Sequence, residues 1–500
     1  MADEQGAPQD AAEPQFSDVL IIGAGISGIN AAYRIQQRNP GSSYTILERR
    51  QRIGGTWDLF RYPGIRSDSD IFTLSYPYEP WTRREHVADG ADIREYLTTA
   101  AHKYGIDRHI RFDTRVSAAD WDSTTDTWTV HAETHGAEVT YRCRFLFFGT
   151  GYYNYDQAYT PDFPGIETFS GTVVHPQFWP EDLDYAGKRV VVIGSGATAV
   201  SLVPALADTA GHVTMLQRSP TYMMSMPAVP KPMQAVRKML PRRIAHQVVR
   251  FRNAWYHFLL YMFFRKAPKV GRGLIRRANT AELPPGYPVD VHFKPRYNPW
   301  DERVCLAPNG DFFKTIKAGK ADVVTDTIET FTETGIKLTS GAELQADIII
   351  TATGLNMQLF GGATATRNGE PIDLTKSMTY KGLMLSGVPN MAITFGYTNA
   401  SWTLKADLVS EFICRVLNYM DANGFDRVEP QHPGDAIDEQ PFMDFTPGYF
   451  RRAMDTLPKS GSEAPWKLKQ NYFFDLRLIR HGKVDEESLH FTKHRAPVNA

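Results

Sequence analysis

The chain has 500 residues, enough for two or three domains, and its 42% apolar and 22% charged residues suit a folded protein with a sizeable core. A formal net charge of −1 provides no overall field that would attract nucleic acid, so no nucleic-acid partner is expected. The three cysteines are far apart and form no CxxC pair, which argues against a redox dithiol or a zinc site and agrees with a reduced compartment.

The first segment, residues 1–15, is acidic and rich in Ala, Pro and Gln, and it lacks the basic and apolar regions of a signal peptide. We therefore predict a disordered tail. The chain contains no run of about 18 apolar residues, so no transmembrane helix is expected. Together with the sparse cysteines, these features favour a cytoplasmic protein.

A glycine-rich turn, Gly23 to Gly28, follows an apolar strand and precedes a helical stretch and a second strand. This order is typical of a dinucleotide-binding βαβ unit. Gly23 permits the tight turn, Gly25 lets a pyrophosphate approach the backbone beside Ser27, and Gly28 lets the helix pack on the strand. Glu48, 20 residues after Gly28, would accept hydrogen bonds from a ribose with free hydroxyls, which FAD has. The alternative is a structural turn without a ligand.

A second unit of this kind begins with an apolar strand at residues 189–193. Its second strand ends at Arg218 and Ser219 rather than at an acid, and these side chains can bind a 2′-phosphate. We therefore predict that the second dinucleotide is NADPH, with a surface arginine as the alternative. The turn itself supplies the predicted binding residues Gly194, Gly196, Ala197, Thr198 and Ala199.

Two longer motifs accompany these turns. The first, residues 54–68, reads small-Gly-x-Trp, aromatic-Pro-Gly and Asp, and it supplies the predicted binding residues Gly55, Thr56, Trp57 and Asp68. The second, residues 169–180, reads FxGxxxHxxxWP. Together they resemble the fingerprints of type I Baeyer–Villiger monooxygenases. Residues 57–70 and 149–155 resemble the bacterial ethionamide-activating branch of that family.

The resemblance implies an α/β fold with two Rossmann-like domains, for FAD and NADP, and a helical insertion. In this family NADPH passes hydride to FAD, and reduced FAD captures O2 as a C4a-peroxide. The peroxide inserts one oxygen atom beside a ketone carbonyl to give an ester or lactone, and thioether sulfoxidation is a side activity. The expected partners are therefore O2 and a small ketone or thioether. The sequence does not predict the oligomeric state.

The resemblance also implies catalytic residues. The family's arginine that holds the flavin peroxide as an anion maps to Arg303, and its partner carboxylate maps to Asp68. Arg66 stands close by in sequence and could neutralise Asp68. Many members carry lysine just before the arginine, where this chain has Glu302, so the strictness of its NADPH preference is open.

Two further segments have expected roles. His175 and Trp179 lie on the linker into the predicted NADP domain, so a structural role for His175 is favoured over general-base catalysis. The segment containing Asn399 resembles the one whose helix N-terminus points at the flavin ring, where Asn399 or Ser401 could cap the helix. An ordinary capped helix is the alternative.

The predicted division is a tail (1–15), an FAD-binding domain in two parts (16–150 and 385–500), an NADP-binding domain in two parts (151–221 and 301–384) and a helical insertion (222–300). Residues 231–277 of the insertion contain 13 Lys or Arg and no Asp or Glu. This pattern predicts either a helical cover over the active site with a solvated basic face, which is favoured, or a peripheral membrane-binding face.

The principal alternative to the Baeyer–Villiger reaction is a flavin monooxygenase that oxidises only sulfur or nitrogen. The absence of CxxC makes a disulfide reductase a weaker alternative. A non-catalytic protein bound to a membrane surface through the basic insertion is an alternative of another class. No metal site is expected.

Overall fold

The computed structural model describes residues 14–302, 304–443 and 447–494. Most of the predicted disordered tail, and Arg303, lie outside the described residues. The helices are α1 (Ile26–Arg38), α2 (Thr56–Leu59), α3 (Ile71–Leu74), α4 (Gly90–Lys103), α5 (Ala197–Leu206), α6 (Lys231–Met239), α7 (Arg242–Lys266), α8 (Pro268–Glu282), α9 (Val289–His292), α10 (Asp311–Lys317), α11 (Trp402–Asn423), α12 (Gly448–Ala453) and α13 (Tyr472–Asp475).

The strands follow the same chain order. They are β1 (Gln15–Ile22), β2 (Tyr44–Leu47), β3 (Ile110–Arg111), β4 (Thr114–Asp122), β5 (Thr127–Thr134), β6 (Ala137–Phe148), β7 (Tyr153–Ala158), β8 (Thr172–Val174), β9 (Arg189–Ile193), β10 (His212–Gln217), β11 (Tyr222–Met226), β12 (Val304–Pro308), β13 (Ala321–Thr325), β14 (Ile328–Thr332), β15 (Gly335–Leu338), β16 (Glu343–Gln345), β17 (Ile348–Thr351), β18 (Leu355–Met357), β19 (Thr364–Arg367), β20 (Glu370–Pro371), β21 (Thr379–Tyr380), β22 (Met384–Leu385), β23 (Met391–Ile393), β24 (Arg427–Pro430), β25 (Glu439–Gln440), β26 (Ser460–Gly461) and β27 (Leu489–Thr492).

The first sheet has the order β20-β19-β4-β5-β6-β1-β2-β3, and β23 also pairs with β6. The predicted βαβ unit lies towards the β3 edge of this sheet, where β1 pairs in parallel with β2 and β6. The sheet is mixed, because β4, β5 and β6 form an antiparallel meander, which was not predicted from the sequence. Side chains of β4 and β5 largely alternate between buried and more exposed, a pattern that suits antiparallel strands with one solvated face.

The second sheet has the order β13-β10-β9-β17-β8, and all its pairs are parallel. β9 and β17 are nearly continuous apolar runs with almost every residue buried, as expected for parallel strands covered on both faces. The predicted α/β fold with two dinucleotide-type sheets is confirmed.

The helical insertion leaves the second sheet's domain after β11 and returns at β12, and these two strands pair in parallel. Its longest helix, α7, is held against the first domain by buried polar side chains spaced about one turn apart. His246 Nε2 lies 3.0 Å from the carbonyl oxygen of Tyr76. Arg250 Nη1 donates to the carbonyl oxygen of Thr73 at 2.7 Å. One face of the basic helix is therefore committed to contact within the chain.

The chain returns to the first sheet earlier than the sequence predicts. β19 pairs in parallel with β4, so the first sheet regains the chain at Thr364 rather than at residue 385. The short strand β18, which precedes β19, pairs with β7. β7 follows β6, where the chain first leaves the first sheet for the second. Among the described residues, no helix is long and apolar enough to cross a membrane.

Candidate active site

A cavity of about 470 Å³ lies at the carboxyl ends of β1, β6 and β17 and the N-terminal ends of α1, α5 and α11. Ligands of open α/β sheets bind at such strand ends. The sequence-predicted residues that line it are Gly23, Gly25, Ser27, Glu48, Gly55, Thr56, Trp57, Arg66, Asp68, Gly196, Ala197, Thr198 and Asn399. Those that are described but do not line it are Gly28, Gly194, Ala199, Arg218 and Ser219.

Steric contacts explain why two positions of the first glycine turn are glycine. Gly23 has φ +101°, and a Cβ there would lie 3.0 Å from the carbonyl oxygen of Gly149. A Cβ on Gly28 would lie 1.9 Å from the carbonyl oxygen of Gly23, so a side chain would force α1 away from the strand. The N-terminus of α1 has no side-chain cap and no acidic residue in its first turn, which leaves it suited to an anion.

Glu48 is 3% exposed and lines the cavity at the end of β2. Its Oε2 accepts a hydrogen bond from the Ala24 backbone at 2.7 Å, and its Oε1 accepts one from the Arg50 backbone at 2.8 Å. Burial raises the pKa of Glu48, and these two hydrogen bonds partly offset that effect. Each carboxylate oxygen can accept a further hydrogen bond, so the residue remains able to hold a ribose hydroxyl.

Two predicted binding side chains are engaged by the protein itself. Ser27 Oγ accepts a hydrogen bond from Trp402 Nε1 at 2.7 Å, which ties α1 to α11. Asn399 Nδ2 donates to the carbonyl oxygen of Gln470 at 2.9 Å. Both residues still line the cavity, but their described contacts fix neighbouring segments.

The predicted cap of α11 is wrong. Ser401 occupies the N-cap position, but its side chain makes no capping hydrogen bond. Its Oγ instead lies 2.5 Å from Thr73 Oγ1. The first turn of α11 has no acidic residue, and Trp402 at its start lines the cavity. The uncapped end of this long helix therefore presents positive partial charge near the cavity.

The aromatic-Pro-Gly part of the first motif joins the two domains. Gly64 has φ +75°, and a Cβ there would lie 2.5 Å from the carbonyl oxygen of Ser201 and 2.8 Å from Ala205 Cβ on α5. Burial raises the pKa of Tyr62, and a hydrogen bond with Thr198 at the start of α5 partly offsets this effect. The motif thus packs directly on the helix of the second dinucleotide unit.

The second glycine turn repeats the first. Gly194 has φ +134°, and a Cβ there would lie 2.3 Å from the carbonyl oxygen of Ala352, so this glycine allows β9 and β17 to end side by side. A Cβ on Gly196 would meet nothing within 4 Å, so the backbone is open towards the cavity. The N-terminus of α5 also has no side-chain cap and no acid in its first turn. Ala199 is fully buried in the core behind it.

Arg218 and Ser219 are exposed at the end of β10, outside the cavity lining. The Ser219 carbonyl accepts a hydrogen bond from Ser195 Oγ at 3.1 Å, which places it beside the second glycine turn. Glu302 lies within the electrostatic influence of Arg218. Burial raises the pKa of Glu302, and the charges of Arg451 and Arg218 oppose that shift.

The predicted catalytic residues are only partly described. Asp68 and Arg66 both line the cavity, as do Trp300 and Val304 on either side of position 303. Arg66 Nη1 forms an ion pair with the carboxylate of Asp311 at the start of α10. The predicted neutralisation of Asp68 by Arg66 therefore competes with this ion pair. Arg66 Nη2 is buried and has no hydrogen-bond partner among the described residues.

His175 has the contacts of a structural residue. Its Nδ1 accepts a hydrogen bond from the Gln177 backbone at 3.1 Å, so its Nε2 carries the proton and donates to the Gly354 carbonyl at 3.2 Å. Burial lowers the pKa of His175, and it does not line the cavity. Gly354 follows β17, where the chain leaves the second sheet and returns to the first. This histidine therefore fixes the linker to that segment.

Sequence reasoning missed a buried carboxylate beside the cavity. Asp70 is fully buried and accepts a hydrogen bond from Asn253 Nδ2 at 2.8 Å. The Nδ1 atom of His257, a cavity-lining residue of α7, lies 3.7 Å from Asp70 Oδ2. Burial raises the pKa of Asp70, but the charges of His257 and His86 and the hydrogen bonds from Thr73 and Asn253 together lower it, and the net pKa is lowered. The signal was the recurrence of polar residues at one-turn spacings in the aromatic sequence of α7.

The missed residues of the cavity wall are mainly apolar and aromatic. They come from segments that are remote in sequence, and they include Tyr152, Met224, Leu260, Trp300, Leu355 and Tyr449. Tyr152 and Trp402 have ring centroids 5.4 Å apart. No local pattern identifies such a wall, because each element contributes one or two side chains.

Comparisons with known proteins agree with this arrangement. The pyridine nucleotide-disulphide oxidoreductase family model matches residues 20–250. The chain is 66% identical to the FAD-containing monooxygenase EthA of Mycolicibacterium smegmatis, over 97% of this chain and 98% of that protein. It is 59% identical to the protein of the same name from Mycobacterium tuberculosis, over 96% and 99% of the two chains.

Solved structures share the fold. A steroid monooxygenase bound to NADP superposes with a TM-score of 0.74 at 23% identity, over 96% of this chain and 100% of the other. OTEMO in complex with FAD and NADP gives a TM-score of 0.68 at 25% identity, over 84% and 88%. The identity to the curated relatives over almost the whole chain establishes its family. The chain belongs to the FAD-containing monooxygenases and is a flavoprotein monooxygenase.

Proposed function

We propose that the protein binds FAD, uses NADPH, and catalyses a Baeyer–Villiger oxidation in which one atom of O2 is inserted beside a ketone carbonyl. The overall reaction converts ketone, O2, NADPH and a proton to ester or lactone, NADP⁺ and water. Thioether sulfoxidation is a side activity. The observation that carries this proposal is one cavity lined by both glycine turns and by the motif that contains Asp68.

The described residues fit two dinucleotides. The first turn combines close backbone packing, an uncapped helix N-terminus and the buried Glu48, which suits a nucleotide whose ribose hydroxyls are free. The second turn has an open backbone at Gly196 and a cation, Arg218, near its edge. OTEMO, a structural neighbour, was crystallised with FAD and NADP.

FAD, when bound and reduced by NADPH, supplies the activation of O2. The protein's task is to hold the reacting groups, exclude water and stabilise developing negative charge. We assign that last role to the Arg303 guanidinium, which cannot lose its proton at working pH. Asp68 would orient it, and the N-terminus of α11 would add positive partial charge. Val304, the next residue in the chain, and Trp300 both line the cavity, which supports this assignment.

The proposal is tested with purified protein, NADPH, a simple ketone and a thioether under ¹⁸O2. We expect protein-bound FAD, one ¹⁸O atom in the ester, and NADPH oxidation matched to ester formation. Sulfoxide without ester from any ketone in a broad panel would instead support the alternative that oxidises only heteroatoms. Gly28→Val should lose FAD, whereas the exposed-site control Gly41→Val should retain it. This result would link FAD binding to the first glycine turn.

A further inference from the structure

The outer face of α7 is a continuous exposed apolar ridge. Its members recur every three or four residues, so they lie on one side of the helix. Their exposed fractions run from 40% to 62%, and they are Ile244, Val248, Phe251, Trp255, Leu259 and Phe263. The buried polar residues that dock α7 lie on the opposite side of the same helix. The sequence favoured a helical cover over the active site with a solvated basic face, and that expectation does not account for so many exposed large apolar side chains.

Neighbouring elements also expose large apolar side chains. Val270 and Leu274 of α8, which packs against α7, are 56% and 53% exposed, and Met239 at the end of α6 is 81% exposed. Phe473 of α13 packs edge-on against Trp255 at a centroid distance of 5.1 Å. Single exposed apolar residues are ordinary, but six on one face of a helix mark an interaction site.

The charged side chains of the insertion's helical segment are mainly Lys and Arg. Some cations of the insertion are used within the chain, including Arg250 in the core and Arg265, whose Nη1 lies 2.6 Å from Asp301 Oδ1. Others are exposed on the insertion's helices, namely Lys238, Arg243, Arg252, Lys266, Lys269 and Arg277. Of these, Arg243, Arg252 and Lys266 lie on α7 itself. Residues 231–277 contain no acid. A two-fold contact with a second copy would bring these cations face to face, so an anionic partner fits better.

We propose that this ridge binds the surface of an anionic lipid bilayer, with the apolar side chains in the interface and the flanking cations at the headgroups. Helices with this combination of an apolar face and flanking Lys and Arg lie in the plane of the membrane interface. The opposite side of α7 supplies His257 and Leu260 to the cavity. Binding would therefore place the cavity about one helix diameter from the lipid. The inference does not depend on the proposed reaction.

The test is flotation of the full-length protein with vesicles of phosphatidylglycerol and phosphatidylcholine, and with phosphatidylcholine alone. We expect binding to the anionic vesicles at low salt, release at high salt, and little binding to neutral vesicles. The double variant Phe251→Gln, Trp255→Gln should weaken binding at least about tenfold, since it removes two exposed aromatic side chains. The matched control Phe16→Gln, at a site 53% exposed on β1, should bind like the parent.

A charge test is independent of the apolar one. Reversal of Arg243, Arg252 and Lys266 to Glu should reduce binding by roughly a hundredfold or more. Reversal of three exposed cations elsewhere (Arg108, Lys317 and Lys320) alters the net charge equally and should have a small effect. Circular dichroism and gel filtration confirm that each variant is folded. Absent binding to anionic vesicles, equal losses in ridge and control variants, or a dimer that dissociates only in the ridge variants would overturn the inference.

Discussion

The contact between Gly64 and α5 offers a sharp test of how the first motif joins the two domains. A Cβ at Gly64 would lie 2.5 Å from the Ser201 carbonyl oxygen and 2.8 Å from Ala205 Cβ. Gly105 has a similar φ, +67° against +75°, but a Cβ there would meet nothing within 4 Å. Alanine costs about 1–2 kcal/mol at either site through left-handed backbone strain. Only Gly64→Ala adds an overpacking cost of about 1–3 kcal/mol.

Gly64→Ala should therefore unfold at a lower urea concentration than Gly105→Ala. It should also raise the KM for NADPH, because the displaced helix carries the cavity-lining residues Ala197 and Thr198 at its N-terminus. Urea titrations followed by circular dichroism and by flavin fluorescence, with steady-state kinetics, measure both effects. Equal midpoints and equal KM values for the two variants would refute the claim that this glycine is required by close packing on α5.

Four further outcomes are expected. Arg303→Ala should leave flavin reduction by NADPH nearly intact and abolish ester formation, because a fixed donor contributes roughly 3–4 kcal/mol to charge stabilisation; failure of reduction in stopped-flow spectra would give the arginine another role. Arg218→Ala should raise the KM for NADPH far more than that for NADH, and equal increases would contradict its assignment. Glu302→Gln should lower the KM for NADPH selectively, by removing a carboxylate near Arg218; an unchanged ratio of the two KM values would count against this. Burial lowers the pKa of His246 from 6.5 to about 4. The free energy of unfolding is therefore unaffected by this group above pH 6.5, and up to about 3 kcal/mol of it is lost as the pH falls from 6.5 through 4. His246→Gln should flatten the pH dependence of the urea midpoint in that range, whereas the exposed-site control His490→Gln should retain it.

The βαβ units could be read from the sequence because their determinants are local. An apolar strand, glycines at fixed spacing and the residue at the end of the second strand all lie within one short segment. The steric demands on Gly23 and Gly28 arise inside the same segment or from the adjacent strand end. The mixed character of the first sheet was missed, because the antiparallel pairing of β4, β5 and β6 depends on which strands meet rather than on the glycine fingerprint.

Side-chain partners at the site depended on tertiary structure. Ser27 was predicted to serve a cofactor, yet its hydroxyl accepts a hydrogen bond from Trp402, which is 375 residues away. Ser401 has a capping position in the sequence, but Thr73 from another helix engages its hydroxyl. A hydroxyl takes whichever partner the fold brings near, and that choice has no local signature.

The sequence by itself determined the family, the fold class and the two glycine turns, because each rests on spacings within short segments. The tertiary structure decided which side chains share one cavity and which face of α7 is exposed. The basic residues of the insertion can be counted in the sequence, but the sequence does not show which of them are buried and which are exposed. Only after His246, Arg250 and Asn253 are buried against the first domain is it evident that the apolar ridge faces outward.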